Sequence, residues 1–156
     1  MGQTVYRACF SGKYPTCKEL ADATYENAVP YIVPLQMGKV VKVYDGDTIT
    51  VVSKFPNDNK MYRFSVRLRN VDTPEMTSHD PVEKEKAIKA RDALHGLIMG
   101  KIVLISNTAN EKYGRILADI WIDNTHVNKW LIKNKYGVAY DGGTKQKWNV
   151  GDERAV

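Results

Sequence analysis

At 156 residues, with 43% hydrophobic and 10% aromatic residues, the chain is long enough to bury the core of one globular domain. No stretch approaches the roughly 20 apolar residues of a membrane-crossing helix, and the first residues lack the apolar run and cleavage site of a secretory signal. The formal charge of +5 and a pI near 9.1 favour a polyanionic partner such as nucleic acid over a membrane, because Lys and Arg displace the counterions condensed on phosphates.

Residues 1–37 are neutral in sum, so the whole positive excess lies after them. Cys9 and Cys17, the two cysteines, both fall in this stretch. The rest of the chain therefore cannot depend on disulfides and suits a reducing, intracellular compartment, while a Cys9–Cys17 bridge stays open. Metal binding by these thiols is not expected, since His79, His95 and His126 have no ligand-like spacing to them. Pro30 and Pro34 mark the end of this N-terminal extension, residues 1–36, which is too aromatic for a disordered tail and is expected to pack on the domain that follows.

Val40, Val41 and Val43, then Ile49, Val51 and Val52, predict two strands around Asp45-Gly46-Asp47. Pro56, Asn57, Asp58 and Asn59 supply a turn into a third strand. There Tyr62, Phe64, Val66 and Leu68 alternate with Arg63, Ser65, Arg67 and Arg69, the period of a half-buried strand. Asp80 as N-cap, Pro81 in the first turn and Glu83 as capping-box acid open a helix that carries Ala87, Ala90, Leu94 and Leu97 to Gly100. KIVLIS predicts a fourth strand and KYGRILADIWI a fifth, separated by a turn near Thr108-Ala109-Asn110. A second helix runs through Val127, Trp130 and Leu131 and stops by Gly137. Three strands, a helix, two strands and a helix fit a five-stranded Greek-key β-barrel of the OB-fold type, a β-barrel with helices in the α+β class.

Four motifs occur along this order: YDGDT at 44–48, R-x-x-x-x-D-T-P-E from Arg67 to Glu75, KYGR from Lys112 to Arg115, and VAY from Val138 to Tyr140. In order and spacing they resemble the staphylococcal nuclease (thermonuclease) family, over a domain of residues 37–141. The resemblance implies an SNase-like barrel and a calcium-dependent endonuclease of DNA and RNA. It also implies cleavage of the 5′ P–O bond to leave 3′-phosphates, with single-stranded or frayed substrates preferred and no protein partner needed. Residues 142–156 form a short glycine-punctuated tail where the family usually continues into a third helix, and residues 1–36 are the expected substitute for that support.

The residues support the same chemistry. Calcium takes oxygen ligands, and Asp47 and Asp72, from separate strands, with a carbonyl and waters would suffice. Read alone, Asp45-Gly46-Asp47 would be a plain hairpin turn. By resemblance the carbonyl is that of Thr73, and Asp45 adds charge near the metal. Glu75, three residues beyond Asp72 on a loop fixed by Pro74, is placed to deprotonate or to orient a water. Five residues of strand and loop bring Arg67 to the end of the barrel that holds Asp72, and Gly114 lets the chain deliver Arg115. Two guanidinium forks can then hold a phosphate and stabilise its extra charge, and loss of either is expected to silence activity with the fold intact. By resemblance Lys112 meets a terminal phosphate, and Tyr113 and Tyr140 pack on the nucleotide. A barrel that had lost catalysis and only bound nucleic acid would show broken positions, whereas all five charged ones are present here.

Overall fold

The barrel is closed by one parallel pairing, between its third strand in sequence and its last. The computed structural model describes residues 15–55, 58–143 and 148. The chain divides into two compact units, Met1–Tyr31 and Ile32–Val156. In the first, helix α1 (Cys17–Ala21) begins in a capping box: Thr16 Oγ1 accepts from the Glu19 N–H, and Glu19 returns a carboxylate oxygen to the Thr16 N–H at 2.6 Å. Cys17 is exposed, and Cys9 lies outside the described residues.

The second unit opens with β1 (Met37–Val43), β2 (Thr48–Ser53) and β3 (Tyr62–Leu68). These pair antiparallel, with Val40 opposite Val51 and Thr48 opposite Arg67. The short β4 (Val71–Asp72) precedes helix α2 (Pro81–Ile98). Strand β5 (Ile102–Asn110) returns antiparallel to β1, and β6 (Ile116–Ile122) pairs antiparallel with β5 and parallel with β3, where Val66 faces Ile116. That closes five strands into a barrel, β1-β2-β3-β6-β5. Thr125–His126 (β7) extends the edge of β6 and leads into α3 (Val127–Lys133), and Val138–Ala139 (β8) pairs with β4.

The interior follows the alternation. Val40, Ile49, Val51, Val66, Leu68 and Ile120 are fully buried, each worth about 1.5–3 kcal/mol of burial. Helix α2 contributes Leu94 and Ile98, and α3 contributes Val127 and Leu131. Leu97 packs at the edge of this core, so the buried row of α2 ends on Ile98. Leu35 joins the same core just ahead of β1. Trp130, stacked on Tyr136, packs against it as well, and Trp148 is buried.

Two local expectations shift. Thr108-Ala109-Asn110 is not a turn: Ala109 faces Leu117 and Asn110 faces Ile116, so β5 continues as a long hairpin arm. The irregularity sits at Asn107, whose φ of 51° is a left-handed value that Asn tolerates, and the reversal comes later, where Gly114 takes φ 76°. Glu83 is not a local capping acid, as its carboxylate turns away to the preceding loop. Asp80 does cap α2, accepting the Val82 N–H at 2.8 Å.

Candidate active site

Tight turns and close backbone approaches, rather than flexible loops, hold the acidic centre at one end of the barrel. The β1–β2 turn carries Asp45 and Asp47, and the Asp47 N–H donates to Asp45 Oδ1 at 3.1 Å. Gly46 between them has no room for a side chain, because a Cβ there would sit 2.8 Å from the Ala90 Cβ and 2.9 Å from the Thr73 Cβ. On the other side of the same loop, a Cβ on Gly137 would lie 2.7 Å from the Asp72 carbonyl oxygen. Two glycines thus let the turn, the 72–74 loop, α2 and the segment after α3 meet around Asp72 and Thr73.

Arg67 lies at the centre of this end. Its Nη1 donates to Asp47 Oδ1 at 2.7 Å and its Nη2 to Asp72 Oδ1 at 3.0 Å, and its residue is only 8% exposed. Thr48 Oγ1 donates to the same Asp47 oxygen. Even so, burial and the neighbouring Asp45 outweigh Arg67 and push the Asp47 carboxyl up to about 7. Asp45, Asp47 and Asp72 are all buried near Arg67, whose guanidinium pairs with both Asp47 and Asp72. Two convergent carboxylates with nearby carbonyls suit a hard, oxygen-seeking cation better than a softer metal. Among the described residues no three His, Cys, Asp or Glu side chains form a metal cage by themselves, so carbonyls and waters would have to complete the shell.

In front of these acids opens a cleft of about 280 Å³, lined by Asp45, Arg67, Glu75, Glu111, Lys112, Tyr113, Arg115 and Tyr140. Glu75 is half-buried on the loop after β4. Arg115 arrives from the far side: its Nε donates to Glu111 Oε2 at 3.1 Å and its Nη1 reaches Thr48 Oγ1 at 3.5 Å. Glu111 also accepts the Tyr113 N–H, so one carboxylate fixes the turn and the guanidinium together. Burial alone would raise the Glu111 pKa, but Arg115 and the Tyr113 N–H prevail and hold it below the ordinary glutamate range. The Tyr113 ring is 71% exposed, with Lys112 Nζ 4.9 Å and Arg115 Cζ 5.6 Å from its centroid. Tyr140 donates its hydroxyl to the Gly143 carbonyl at 2.7 Å.

The sequence-predicted set therefore converges: the cleft gathers the predicted arginines, Glu75, Lys112 and both tyrosines, with Asp47 and Asp72 bound to the inner side of Arg67. His79 is an exposed loop residue, His95 lies on α2, and His126 caps α3. Sequence reasoning missed Glu111, Thr48 and Glu83. Glu111 was within reach of pattern, being four residues before Arg115 across a Gly turn.

The family described as staphylococcal nuclease homologue matches residues 65–153. The chain is 32% identical over 105 residues to an uncharacterized endonuclease of Escherichia coli, covering 67% of this chain and 61% of that protein. A protein of Haemophilus influenzae, also named an uncharacterized endonuclease, is 31% identical over 104 residues, 65% of this chain and 51% of its own length. A protein of Oryza sativa subsp. japonica named as a probable staphylococcal-like nuclease is 32% identical over 82 residues, 51% of this chain and 23% of its own. The chain thus spans less than two thirds of the length of each of these relatives.

Proposed function

The chain belongs to the staphylococcal nuclease homologue family, and on that premise we propose that it hydrolyses phosphodiester bonds of single-stranded or frayed DNA and RNA with calcium as its cation. One observation carries this reading: two guanidinium groups, Arg67 and Arg115, and one carboxylate, Glu75, face a common cleft in front of Asp47 and Asp72. That combination suits chemistry at a charged, tetrahedral group such as a phosphodiester.

Asp47, Asp72 and the Thr73 carbonyl would hold calcium, with Asp45 adding charge; bound there, it supplies Lewis-acid neutralisation of a phosphoryl oxygen. Glu75 accepts a proton from, or orients, the water that attacks phosphorus in line. As the new P–O bond forms, the bond to the 5′ oxygen breaks. That oxygen takes a proton from solvent water as it leaves, and the upstream strand keeps a 3′-phosphate. Arg67 and Arg115 offset the charge that grows on the remaining phosphoryl oxygens, a contribution of ~2.7–4 kcal/mol for one such group. Tyr113 and Tyr140 flank the nucleotide, and Lys112 meets a terminal phosphate.

The test is incubation with heat-denatured DNA and with RNA in calcium and then in chelator. Cleavage in calcium alone, with 3′ ends that accept a label only after phosphatase treatment, is the expected result. Intact substrate under both conditions overturns the proposal.

A further inference from the structure

Strand β5, which leads to the turn before Arg115, carries one residue more than its partner. Ser106 stands opposite Asp119 and Ala109 opposite Leu117, so three steps along β5 match two along β6. Asn107 and Thr108 therefore share Ala118 as their partner, which is a β-bulge. Asn107 absorbs the extra residue with φ 51°, a left-handed value open to Asn and Gly but strained for a β-branched side chain. The bulge is held from two sides. Arg69 Nη2 donates to the Asn107 carbonyl at 2.8 Å, and the Asn107 amide donates to Asp119 Oδ2 at 2.6 Å. Asp119 is itself buried and takes the Asn128 amide on its other oxygen, with His126 Nε2 3.8 Å away.

The bulge decides which residue meets Arg115. Beyond it Asn110 faces Ile116 and the Glu111 N–H donates to the Arg115 carbonyl at 2.9 Å, so Glu111 stands opposite Arg115. Arg115 lies two residues before Leu117, which faces Arg67 across the parallel pairing, so Arg115 shares the face of the cleft. There the Glu111 carboxylate takes the Arg115 Nε at 3.1 Å. Regular pairing of the same residues would instead put Thr108 opposite Leu117, Ala109 opposite Ile116 and Asn110 opposite Arg115. A slip of one residue turns every side chain to the other face, and Glu111 would leave its arginine.

We propose that Asn107 is a positioning residue for the hydrolysis: its bulge, pinned by Arg69 and Asp119, sets the register that puts Glu111 opposite Arg115 and so fixes that guanidinium at the cleft. The role of Arg115 in cleavage rests on the nuclease reading, whereas the register does not.

The experiment follows the Glu111 carboxyl by carbon-detected NMR titration of the full chain, alongside initial rates on heat-denatured DNA in calcium. Against burial, Arg115 and the Tyr113 N–H hold Glu111 below the ordinary glutamate range, so its titration reports the pairing directly. Asn107→Val, which disfavours the left-handed backbone, is expected to return Glu111 to the ordinary range. It should also lower kcat on the order of 100-fold with KM little changed. Adding Asn110→Glu to Asn107→Val should recover most of kcat, because position 110 now faces Arg115. Asn107→Gly keeps the backbone and most of the rate. Deletion of Asn107 removes the extra residue, so regular pairing brings Glu111 back to Arg115 and the deletion is milder than the substitution. A low Glu111 titration with wild-type kcat in Asn107→Val overturns the proposal, as does an Asn110→Glu addition that recovers nothing. If Asn107→Val does not fold, the deletion decides alone: a folded deletion variant whose Glu111 titrates in the ordinary range overturns it. Titrations that follow the expected order in a protein that cuts no strand in calcium sink the nuclease reading and leave the register role standing.

Discussion

Glu83, in the first turn of α2, accepts the backbone N–H of Glu75 at 3.2 Å, while its other oxygen takes the Ser78 hydroxyl at 2.7 Å. One helix residue therefore fixes both ends of the loop that carries the proposed water-handling carboxylate. Removing it leaves the barrel contacts intact but frees the loop, and a displacement of about 1 Å at a reacting group can cost on the order of 100-fold in rate. Glu83→Ala should lower kcat by roughly that factor and stability by about 1.5–3 kcal/mol, while Glu83→Gln, which keeps an acceptor, recovers most of both. A Glu83→Ala protein with wild-type kcat removes Glu83 from the site's support.

Arg67 and Arg115 are not equivalent, although both face the cleft. Arg67 is buried against Asp47 and Asp72, whereas the Arg115 side chain is 25% exposed and pairs with Glu111. Deleting Arg67 leaves buried carboxylates without their cation, which typically costs 3–5 kcal/mol. For Arg115 the expected loss is only about 0–1 kcal/mol, so the two arginines should differ in what their removal does to the fold. Denaturant unfolding of Arg67→Ala and Arg115→Ala decides this, and coincident curves for the two would contradict the distinction. Both variants should lose nearly all cleavage.

Gly46 and Gly96 make opposite predictions for the same substitution. At Gly46 the added methyl meets Ala90 and Thr73 at under 3 Å, and neither of those Cβ atoms can swing aside. Gly46→Ala should cost about 1–3 kcal/mol and reduce activity by parting the Asp45–Asp47 turn from Asp72. Gly96 sits exposed within α2 with nothing within 4 Å of its added Cβ, so Gly96→Ala should stabilise by about 0.5–1 kcal/mol. A Gly46→Ala protein that melts at or above the wild-type temperature would refute the packing argument there, and a Gly96→Ala protein that melts lower would refute the one at Gly96.

The barrel's order was legible because its strands alternate cleanly and Asp80-Pro81 announces α2 with local chemistry alone. Where a residue's partner is distant in sequence, the local pattern misled. Thr108-Ala109-Asn110 looks like a turn, yet cross-strand pairing of Ala109 with Leu117 and of Asn110 with Ile116 holds it in β5. Glu83 has capping-box spacing, yet a better-placed acceptor role eight residues upstream claims its carboxylate. For Arg67 the alternation of β3 gave the outward face and the distance to Asp72 gave the barrel end. Neither could reveal that it would be nearly sealed between two acids, because that depends on Gly46 and Gly137 letting three other segments close in.

Asn128 ties the proposed catalytic strand to the rest of the fold. It is 2% exposed, its Oδ1 accepts the Ile120 N–H at 3.0 Å, and its Nδ2 donates to the Arg69 carbonyl at 2.9 Å and the Ala118 carbonyl at 3.1 Å. α3 is thereby pinned both to β6 and to the residue just after β3, the strand of Arg67. Asn128→Leu, with the same branched skeleton but no polar atoms, strands those backbone groups, and at about 1–3 kcal/mol for each unsatisfied group the loss should exceed that of most surface changes. Asn128→Asp keeps the acceptor but loses both donors and faces the buried Asp119, to whose Oδ1 the amide now points at 3.4 Å. Burial beside another acid raises the new carboxyl's pKa in the folded state above its unfolded value. The sign follows: the protonated acid can still donate at low pH, and stability relative to wild type falls as pH rises through that raised folded pKa. Urea midpoints for wild type and Asn128→Asp between pH 4 and 8 should therefore diverge with increasing pH, and a constant difference would show that the amide's donors carry no weight in joining α3 to the barrel.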